Sequence, residues 1–342
     1  GLECLQSVNG TTLGATASES NCYGWSAQDV WYKFTATNER HLLKLNVTEY
    51  LLEPNGFAGM AVYAGDCESH NLLYCTDYPS NPAIQLNGLQ VGATYYVQVF
   101  SGLNTAHHFT LCVGTIPPPP VNDLCNAAVE VKPKSNLNCN QAKPGTTAGL
   151  IDYSQQGCFY GTDVWYWFEA NSPIHLIQFS DMTTLYGNGF LGLELYHGNN
   201  CEALQLLNCT AGQQPIYATN LIPGDKYYIR VVGSEYGAAM FDLCVVKISP
   251  PSNDACSNAQ SLNPANSTTC QNPKAGSTLG AGASSNPGNC SYAMDVWYSF
   301  VASSTTHQIN LTDVVPYLGY ANLFLEVYSG NCGSLVSLGG CF

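Results

Sequence analysis

Charged residues are scarce in this sequence. Only 10% of its 342 residues are Asp, Glu, Lys or Arg, against about 25% in an ordinary soluble domain. The 10 basic residues face 24 acidic ones, which gives a formal net charge of −14. Such a surface would repel a nucleic-acid phosphate backbone and an anionic lipid surface. We therefore expect neither as a partner.

Long apolar runs and catalytic motifs are also missing. No apolar run approaches the ~20 residues of a transmembrane helix, so we expect no membrane insertion. No signal peptide is visible, and the sequence begins in mid-pattern at Gly1, as a mature or trimmed chain would. The Ser–His–Asp order, the His-Glu-x-x-His motif and the phosphate-binding loops are absent. We expect no enzyme activity and no cofactor, with weak Ca²⁺ binding by clustered carboxylates as the one metal hypothesis.

A six-residue frame, Asp-Val-Trp-Tyr-x-Phe, occurs three times. It spans 29–34, 163–168 and 295–300, so that successive copies start 134 and 132 residues apart. A threefold recurrence of five fixed residues is not a chance event, and it identifies a tandem array of repeats.

Each repeat has the pattern of short strands. The second repeat contains seven or eight runs that alternate apolar and polar residues, separated by Gly, Asn and Pro. We therefore predict an all-β tandem array of three antiparallel β-sandwiches, immunoglobulin-like or jelly-roll-like. Tyr95 and Tyr227 follow a Leu and a Gly turn, which predicts a tyrosine corner. We expect the Trp of each frame to fill the core between the sheets, with Val, Tyr and Phe on the opposite face.

Proline runs mark the predicted boundaries. Prolines at 117–120 and 250–251 would form stiff, extended spacers, and so predict a rod with limited bending. The first repeat has no counterpart of the opening strand predicted at 128–131, and the third has none of the three closing strands predicted within 216–246. The predicted units are repeat one, a linker, repeat two, a linker and repeat three, at 1–116, 117–120, 121–249, 250–251 and 252–342.

The 16 cysteines predict a disulfide-stapled protein from an oxidising compartment. They recur at matching places, and no Cys-x-x-Cys pair suggests a zinc site. Connectivity does not follow from sequence, and our interpretation is a bond within each repeat between the second and third classes and a hairpin staple between the fourth and fifth. These predicted pairs are Cys4–Cys22, Cys139–Cys158, Cys270–Cys290, Cys67–Cys75, Cys201–Cys209 and Cys332–Cys341.

Four cysteines allow three interpretations. Cys112–Cys125 and Cys244–Cys256 would staple the linkers and use every cysteine, which we slightly favour. Pairing inside the second repeat, Cys125–Cys244, would leave Cys112 and Cys256 over. Those two could then join one molecule to another.

The repeats resemble secreted extracellular β-sandwich repeats of Bacteroidetes-type bacteria, which are similar to the pre-peptidase C-terminal domain. The matching features are Pro-x-Asn-Asp-x-Cys at 251–256, the three frames, Tyr-Ser-Gly-Asn-Cys at 328–332, the Tyr-Tyr pairs and Phe-x-Leu-Cys-Val at 109–113 and 241–245. The resemblance implies an extracellular accessory or adhesive module without catalytic residues. The incomplete end repeats add a likeness to repeat proteins of extracellular glycoprotein fibrils.

Candidate modification and binding residues are few. His41, His175 and His307 recur at matching positions, which we interpret as hydrogen-bonded strand-edge residues, and the Asp of each frame as a turn residue. Trp25 is unmatched in the other repeats and is the candidate for stacking on a sugar. Glycans attached at Asn-x-Ser/Thr sequons are expected partners. The six sequon asparagines are Asn9, Asn46, Asn208, Asn266, Asn289 and Asn310.

Two functional hypotheses follow from these patterns. The first is an extracellular structural protein, glycosylated, whose unfinished end sandwiches are completed head to tail by copies of itself to give a filament. The alternative is part of a cell-surface adhesin or of a carbohydrate-binding accessory module.

Overall fold

The computed structural model is all-β. It describes residues 2, 7–18, 28–52, 56–76, 83–102, 104–150, 154, 156–212, 214–234, 237–267, 273–284, 294–317 and 322–339. Within those ranges, helical structure is limited to two short 3₁₀ turns, Cys125–Ala127 and Cys256–Asn258. No helix in the described residues is both long and apolar enough to span a bilayer.

The first sandwich has two four-stranded sheets. One has the order β1-β8-β3-β6 and the other β2-β7-β4-β5, and all their described pairings are antiparallel. The strands are β1 (Ser7–Thr11), β2 (Asp29–Thr35), β3 (His41–Tyr50), β4 (Ala58–Gly65), β5 (His70–Thr76), β6 (Ala83–Leu86), β7 (Thr94–Ser101) and β8 (His107–Thr115).

The second sandwich repeats this plan with one added strand. Its sheets have the orders β10-β17-β12-β15 and β14-β13-β16-β11-β9, and β9 runs parallel to β11. The strands are β9 (Val129–Glu130), β10 (Lys143–Thr146), β11 (Thr162–Glu169), β12 (Ile174–Tyr186), β13 (Leu191–His197), β14 (Gln205–Ala211), β15 (Ile216–Ala218), β16 (Lys226–Gly233) and β17 (Ala238–Ile248).

The described part of the third repeat contains two small sheets. One pairs β18 with β19 in parallel, and the other pairs β20 with β21 in an antiparallel hairpin. Their strands are β18 (Gln260–Ser261), β19 (Tyr298–Ser299), β20 (Val327–Ser329) and β21 (Val336–Gly339).

The alternation along the frame strands is confirmed, but the face predicted for Trp is wrong. Val164, Tyr166 and Phe168 lie in the main core of the second sandwich. Trp165 lies in a separate cluster with Tyr196, on the opposite face of the sheet. A period of two separates two sets of residues, and it does not say which set faces inward.

The tyrosine corners are confirmed. The Tyr95 hydroxyl accepts a hydrogen bond from the Gln90 backbone N–H, and the Tyr227 hydroxyl accepts one from that of Ile222, both at 2.9 Å. The hydroxyl of each buried tyrosine thus has a hydrogen-bond partner in the turn that precedes its strand.

An apolar cluster lies beside the first proline run. Leu42 and Ile116 are buried together with Ala148, Tyr186 and Ala238, which belong to the second sandwich. The two sandwiches therefore pack against each other at this joint, and this contact limits bending there in addition to any effect of the prolines. The predicted domain boundaries themselves stay predictions.

The disulfide pairing differs from the sequence interpretation. Cys75 and Cys112 are disulfide-bonded, and Cys67 is a free, exposed thiol. The four bonds resolved between described cysteines are Cys125–Cys201, Cys139–Cys244, Cys158–Cys209 and Cys256–Cys332.

These bonds contradict most of the predicted pairs. Cys139–Cys158, Cys201–Cys209, Cys332–Cys341 and Cys67–Cys75 are wrong, as are the linker staples Cys112–Cys125 and Cys244–Cys256, the pair Cys125–Cys244 and the Cys256–Cys112 link between molecules. The hairpin of β13 and β14 gives the reason. Cys209 lies opposite Glu194, while Cys201 lies in the turn beyond the His197–Gln205 pair, too far along to bond. Cys4, Cys22, Cys270, Cys290 and Cys341 lie outside the described residues.

Candidate functional site

The opening segment of the second repeat hydrogen-bonds to β11 at the edge of its sheet. We call residues 121–131 the clasp of the second sandwich. The Trp165 backbone N–H donates to the Asn122 carbonyl at 2.8 Å, and the Asn122 side-chain amide donates to the Trp165 carbonyl at 2.9 Å. The Val131 N–H donates to the Trp167 carbonyl at 2.8 Å. These bonds satisfy backbone groups that a bare strand edge would leave open.

The third repeat has a clasp of the same geometry at residues 252–262. Trp297 and Asn253 exchange the same two bonds, at 2.8 and 2.9 Å. The Leu262 N–H donates to the Ser299 carbonyl at 2.7 Å. The clasp is therefore a recurring structural element, which sequence reasoning saw only as a short strand.

A disulfide fixes each clasp to the turn of a neighbouring hairpin. Cys125 bonds to Cys201 and Cys256 to Cys332, with a sequence separation of 76 and a Cα–Cα distance near 6 Å in both. The second clasp also covers Trp165, which is only 6% exposed. The disulfide and the side-chain packing together attach the clasp to the outer face of the sheet.

The matching edge of the first sandwich carries no clasp among the described residues. Strand β2, the counterpart of β11, is the outermost strand of its sheet. Trp31 is 41% exposed there, and Cys67, the counterpart of Cys201 and Cys332, is free and exposed. Strand β2, Trp31 and Cys67 are thus the counterparts of the three features that the clasp of the second sandwich contacts.

The third repeat exposes residues whose counterparts form a core. Ile177 and Leu191 are fully buried in the second sandwich, while the matching Ile309 and Leu323 are 40% and 41% exposed. Counterparts of β15, β16 and β17 are not among the described residues of the third repeat. An apolar face of this kind marks a surface that another element covers.

The second sandwich also holds a buried charge cluster that sequence reasoning missed. The Arg230 guanidinium contacts the Asp163 carboxylate at 2.6 Å and the Glu194 carboxylate at 3.0 Å, and the Arg230 and Glu194 side chains are fully buried. Trp165 donates its indole N–H to Asp163 at 2.7 Å, and Tyr196 donates its hydroxyl to Glu194 at 2.5 Å. Opposite charges inside the apolar runs at 191–196 and 227–232 were the available signal.

The cluster anchors the loop before β11. The second carboxylate oxygen of Glu194 accepts the backbone N–H groups of Cys158 and Phe159 at 2.7 and 2.9 Å. Arg230 also donates to the Gln156 carbonyl. Burial lowers the pKa of Arg230, but the attraction of the two carboxylates outweighs it and raises that pKa overall. The group therefore stays a cation and serves a structural purpose.

The first sandwich has neutral residues in place of Arg230 and Glu194 and keeps the aspartate. Gln98, the counterpart of Arg230, donates to the Asp29 carboxylate at 2.5 Å and accepts from the Tyr63 hydroxyl at 2.8 Å. Ala61 takes the place of Glu194. The fold therefore accommodates either an arginine that forms ion pairs or a glutamine that forms amide hydrogen bonds at this position.

The other frame aspartates hold nearby loops. Ser18 donates its hydroxyl to Asp29, and Ser284 donates its own to Asp295, both at 2.8 Å. The interpretation of the frame Asp as a turn residue is wrong, because Asp29 and Asp163 lie on strands and these bonds reach groups at least 11 residues away in sequence. No group of three or more potential metal ligands lies in the described part of the chain, and Ca²⁺ binding stays a hypothesis.

The repeated histidines are hydrogen-bonded, as expected, and His41 and His175 lie at the starts of β3 and β12. His41 and His307 each accept two backbone N–H groups of the preceding turn, all at 3.2 Å. His175 contacts the Asn171 side-chain oxygen at 3.1 Å and is fully buried, and this burial, with a smaller effect of Lys247, lowers its pKa to about 4.

The remaining predicted residues are surface positions where the structure describes them. Asn289 and Trp25 lie outside the described residues. Glycosylation stays a prediction, although the described sequon asparagines are all solvent-exposed: Asn9, Asn46, Asn208, Asn266 and Asn310.

Comparison with known proteins identifies one family match. Residues 252–328 match the family model GBD_T9SS_assoc, described as galactose binding domain-like. This agrees with the Bacteroidetes-type resemblance, whereas the pre-peptidase C-terminal likeness stays a prediction. The match and the disulfides together point to a secreted, extracellular protein. No curated protein matches the sequence.

Solved structures give distant likenesses only. The CUB1-EGF-CUB2 domain of human MASP-1/3 is 12% identical, with 70% of this chain and 99% of that chain covered and a TM-score of 0.18. The CBM22-1-CBM22-2 tandem of Paenibacillus barcinonensis Xyn10C is 8% identical, covering 71% and 91%, with a TM-score of 0.20. Truncated AlyQ with CBM32 and alginate lyase domains is 9% identical, covering 71% and 97%, with a TM-score of 0.19. At these scores the likenesses carry no argument about function.

Proposed function

We propose that this chain is an extracellular structural repeat protein that assembles with copies of itself into filaments. The observation that carries the proposal is the apolar face of the third repeat. Residues that match the core of the second sandwich are there about 40% exposed, as at Ile309 and Leu323. Exposed core positions favour completion by strands from another molecule, and head-to-tail completion does not close on itself.

The test uses the full chain and two matched variants. Light scattering across a concentration series should give particles that grow with concentration, and negative-stain images should contain fibres. Leu323→Glu places a charge on the apolar face and should cut assembly strongly, since a buried unpaired charge is costly. Leu207→Glu is the control, because Leu207 is 44% exposed on the second sandwich and its change should leave assembly intact.

Two results would contradict the proposal. One is a monodisperse monomer at high concentration. The other is equal loss of assembly in both variants, which would indicate nonspecific apolar association.

Carbohydrate binding is the second candidate, favoured by the galactose binding domain-like match at 252–328. Under this hypothesis the chain is an accessory or adhesive module that recognises glycans, with Trp25 as the proposed stacking residue. Retention of the full chain on immobilised galactosides, lost on Trp25→Ala and on addition of free galactose, would support it. A chain that passes through galactoside and control resins alike would contradict it.

A further inference from the structure

We propose that a groove on the side of the second sandwich binds an anionic saccharide, that is, a sugar carrying carboxylate or sulfate groups. We call it the lysine groove, because Lys132, Lys134 and Lys143 line it. It borders β9 and β10, which are edge strands of the two sheets. Its volume is about 400 Å³, within the range of about 300–1,000 Å³ that ligand pockets occupy. This goes beyond the filament hypothesis and rests on different residues.

The lysine groove concentrates positive charge in a chain that has little of it. Its three lysines are among only 10 basic residues, which face 24 acidic ones. None of the three forms an ion pair with a described acidic side chain. Glu130, the acidic residue of the lining, is exposed. A cleft lined mainly by one sign of charge attracts ligands of the opposite sign, and screening over about 8 Å at physiological salt limits repulsion from the rest of the chain.

Two of the lysines are held along the same strand, β17. Lys134 bridges to Val246, and Lys143 pairs with Leu243. These partners are three residues apart, which places the two lysine backbones roughly 10 Å apart along the strand. The Lys134 N–H and C=O are both hydrogen-bonded to β17, at 2.8 and 2.7 Å. Side chains as long as lysine can therefore converge on one ligand from fixed backbone positions.

Lys132 and Lys134 are specific to the second repeat. Their counterparts in the third repeat are Asn263 and Ala265, and the proline between the two positions is the same in both repeats. The third repeat forms the same clasp bonds without these lysines. The fold therefore does not require cations at these positions, which favours a role in binding.

A disulfide and two left-handed residues shape one wall of the groove. Cys244 belongs to the lining and is bonded to Cys139. Cys139 and Gln141 have φ angles of 50° and 64°, a conformation that is costly for residues other than glycine. Gln141 also lines the groove, and its side chain is exposed. A wall fixed in this way reduces the entropy that is lost when a ligand binds.

The mixed lining favours a sugar over a compact inorganic anion. Val129 and Ala142 contribute half-buried apolar surface, and Gln141 contributes an amide that can donate and accept hydrogen bonds. A sugar ring offers apolar C–H groups to the first kind of surface and hydroxyl groups to the second. Its carboxylate or sulfate would contact the lysines through charge-assisted hydrogen bonds.

Calorimetric titration of the full chain tests the ligand class with three probes. These are digalacturonate, sulfated galactobiose and neutral galactobiose. We expect at least one acidic probe to bind about tenfold or more tightly than the neutral one, because hydrogen bonds to a charged group are stronger than neutral ones. Added salt should weaken the binding of that probe.

Matched variants test the residues. The double change Lys132→Gln and Lys134→Gln should weaken binding of the acidic probe about tenfold or more. Glu130→Gln should strengthen it, since a repelling carboxylate is removed, and a gain in affinity cannot come from misfolding. Lys274→Gln is the control, because Lys274 is the exposed counterpart of Lys143 in the third repeat, and it should leave the affinity unchanged.

Three results would overturn the proposal. The first is equal affinity for the acidic and neutral probes, and the second is equal affinity of the parent chain and the double lysine variant for the acidic probe. The third is inorganic sulfate that binds as tightly as the acidic saccharides, which would indicate a simple anion site.

Filament formation is measured separately by light scattering. Filaments from a chain that binds no acidic probe would keep the proposed function and remove this site. A monomer that binds the acidic probe through the lysine groove would remove the proposed function and keep the site.

Discussion

The charge cluster of the second sandwich allows a quantitative test against the first. Replacing Arg230 with Gln removes the cation and leaves Asp163 and Glu194 buried without their charge partner. Removal of one member of a buried ion pair costs about 3–5 kcal/mol of folding free energy. We expect Arg230→Gln to lose stability in that range, because Arg230 and Glu194 are both fully buried.

A second change should recover part of the loss. Adding Glu194→Gln removes the uncompensated charge, and the amide oxygen can still accept the Cys158 and Phe159 N–H groups. The glutamine side chain at position 230 would then donate an amide N–H to the Asp163 carboxylate, as Gln98 donates to Asp29 in the first sandwich. We expect the double variant to be more stable than Arg230→Gln alone by about 2 kcal/mol, part of the cost of an unpaired buried charge.

The assay must resolve one sandwich from the others. Hydrogen exchange read by mass spectrometry under non-reducing conditions reports opening of β11, β13 and β16 separately from β2 and β7. The parent chain and the single variant Glu194→Gln complete the cycle. Two results would refute the view that the ion pairs stabilise the second sandwich. One is a cost below about 1 kcal/mol for Arg230→Gln, and the other is a double variant that is less stable than Arg230→Gln alone.

Three further changes test other parts of the structure. His175 has a folded pKa of about 4 against an ordinary 6.5, so its contribution to stability is complete above pH 6.5 and is lost as pH falls toward 4. The loss is about 3 kcal/mol, and a His175→Gln chain should lack that pH dependence in urea titrations at pH 7 and pH 4. Tyr227→Phe deletes the corner bond to the Ile222 N–H and should cost about 1 kcal/mol in urea unfolding; an unchanged midpoint would count against the corner. Asn122→Ala should speed exchange at the Trp165 amide without breaking the clasp disulfide, and unaltered exchange would mean that the disulfide alone holds the clasp.

The sequence by itself determined the repeat, the all-β class and the local hydrogen bonds. The threefold frame identified the array, and Tyr95 and Tyr227 marked their corners, because these features depend on a few residues that are close along the chain. His41 and His307 likewise accept backbone N–H groups of residues three and four positions earlier.

Only the tertiary structure decided which parts meet across the sandwich. The four bonded pairs of described cysteines lie 51 to 105 residues apart in sequence, and which cysteines approach to bonding distance depends on the packing of the strands. The alternation of the frame separated Trp165 from Tyr166, but which of the two faces the core depends on how the two sheets pack against each other. Asp163, Glu194 and Arg230 come from three strands whose order in the sheet no local pattern encodes. Among the described residues, the lack of a clasp over Trp31 likewise became visible only by comparison with the clasps of the second and third repeats.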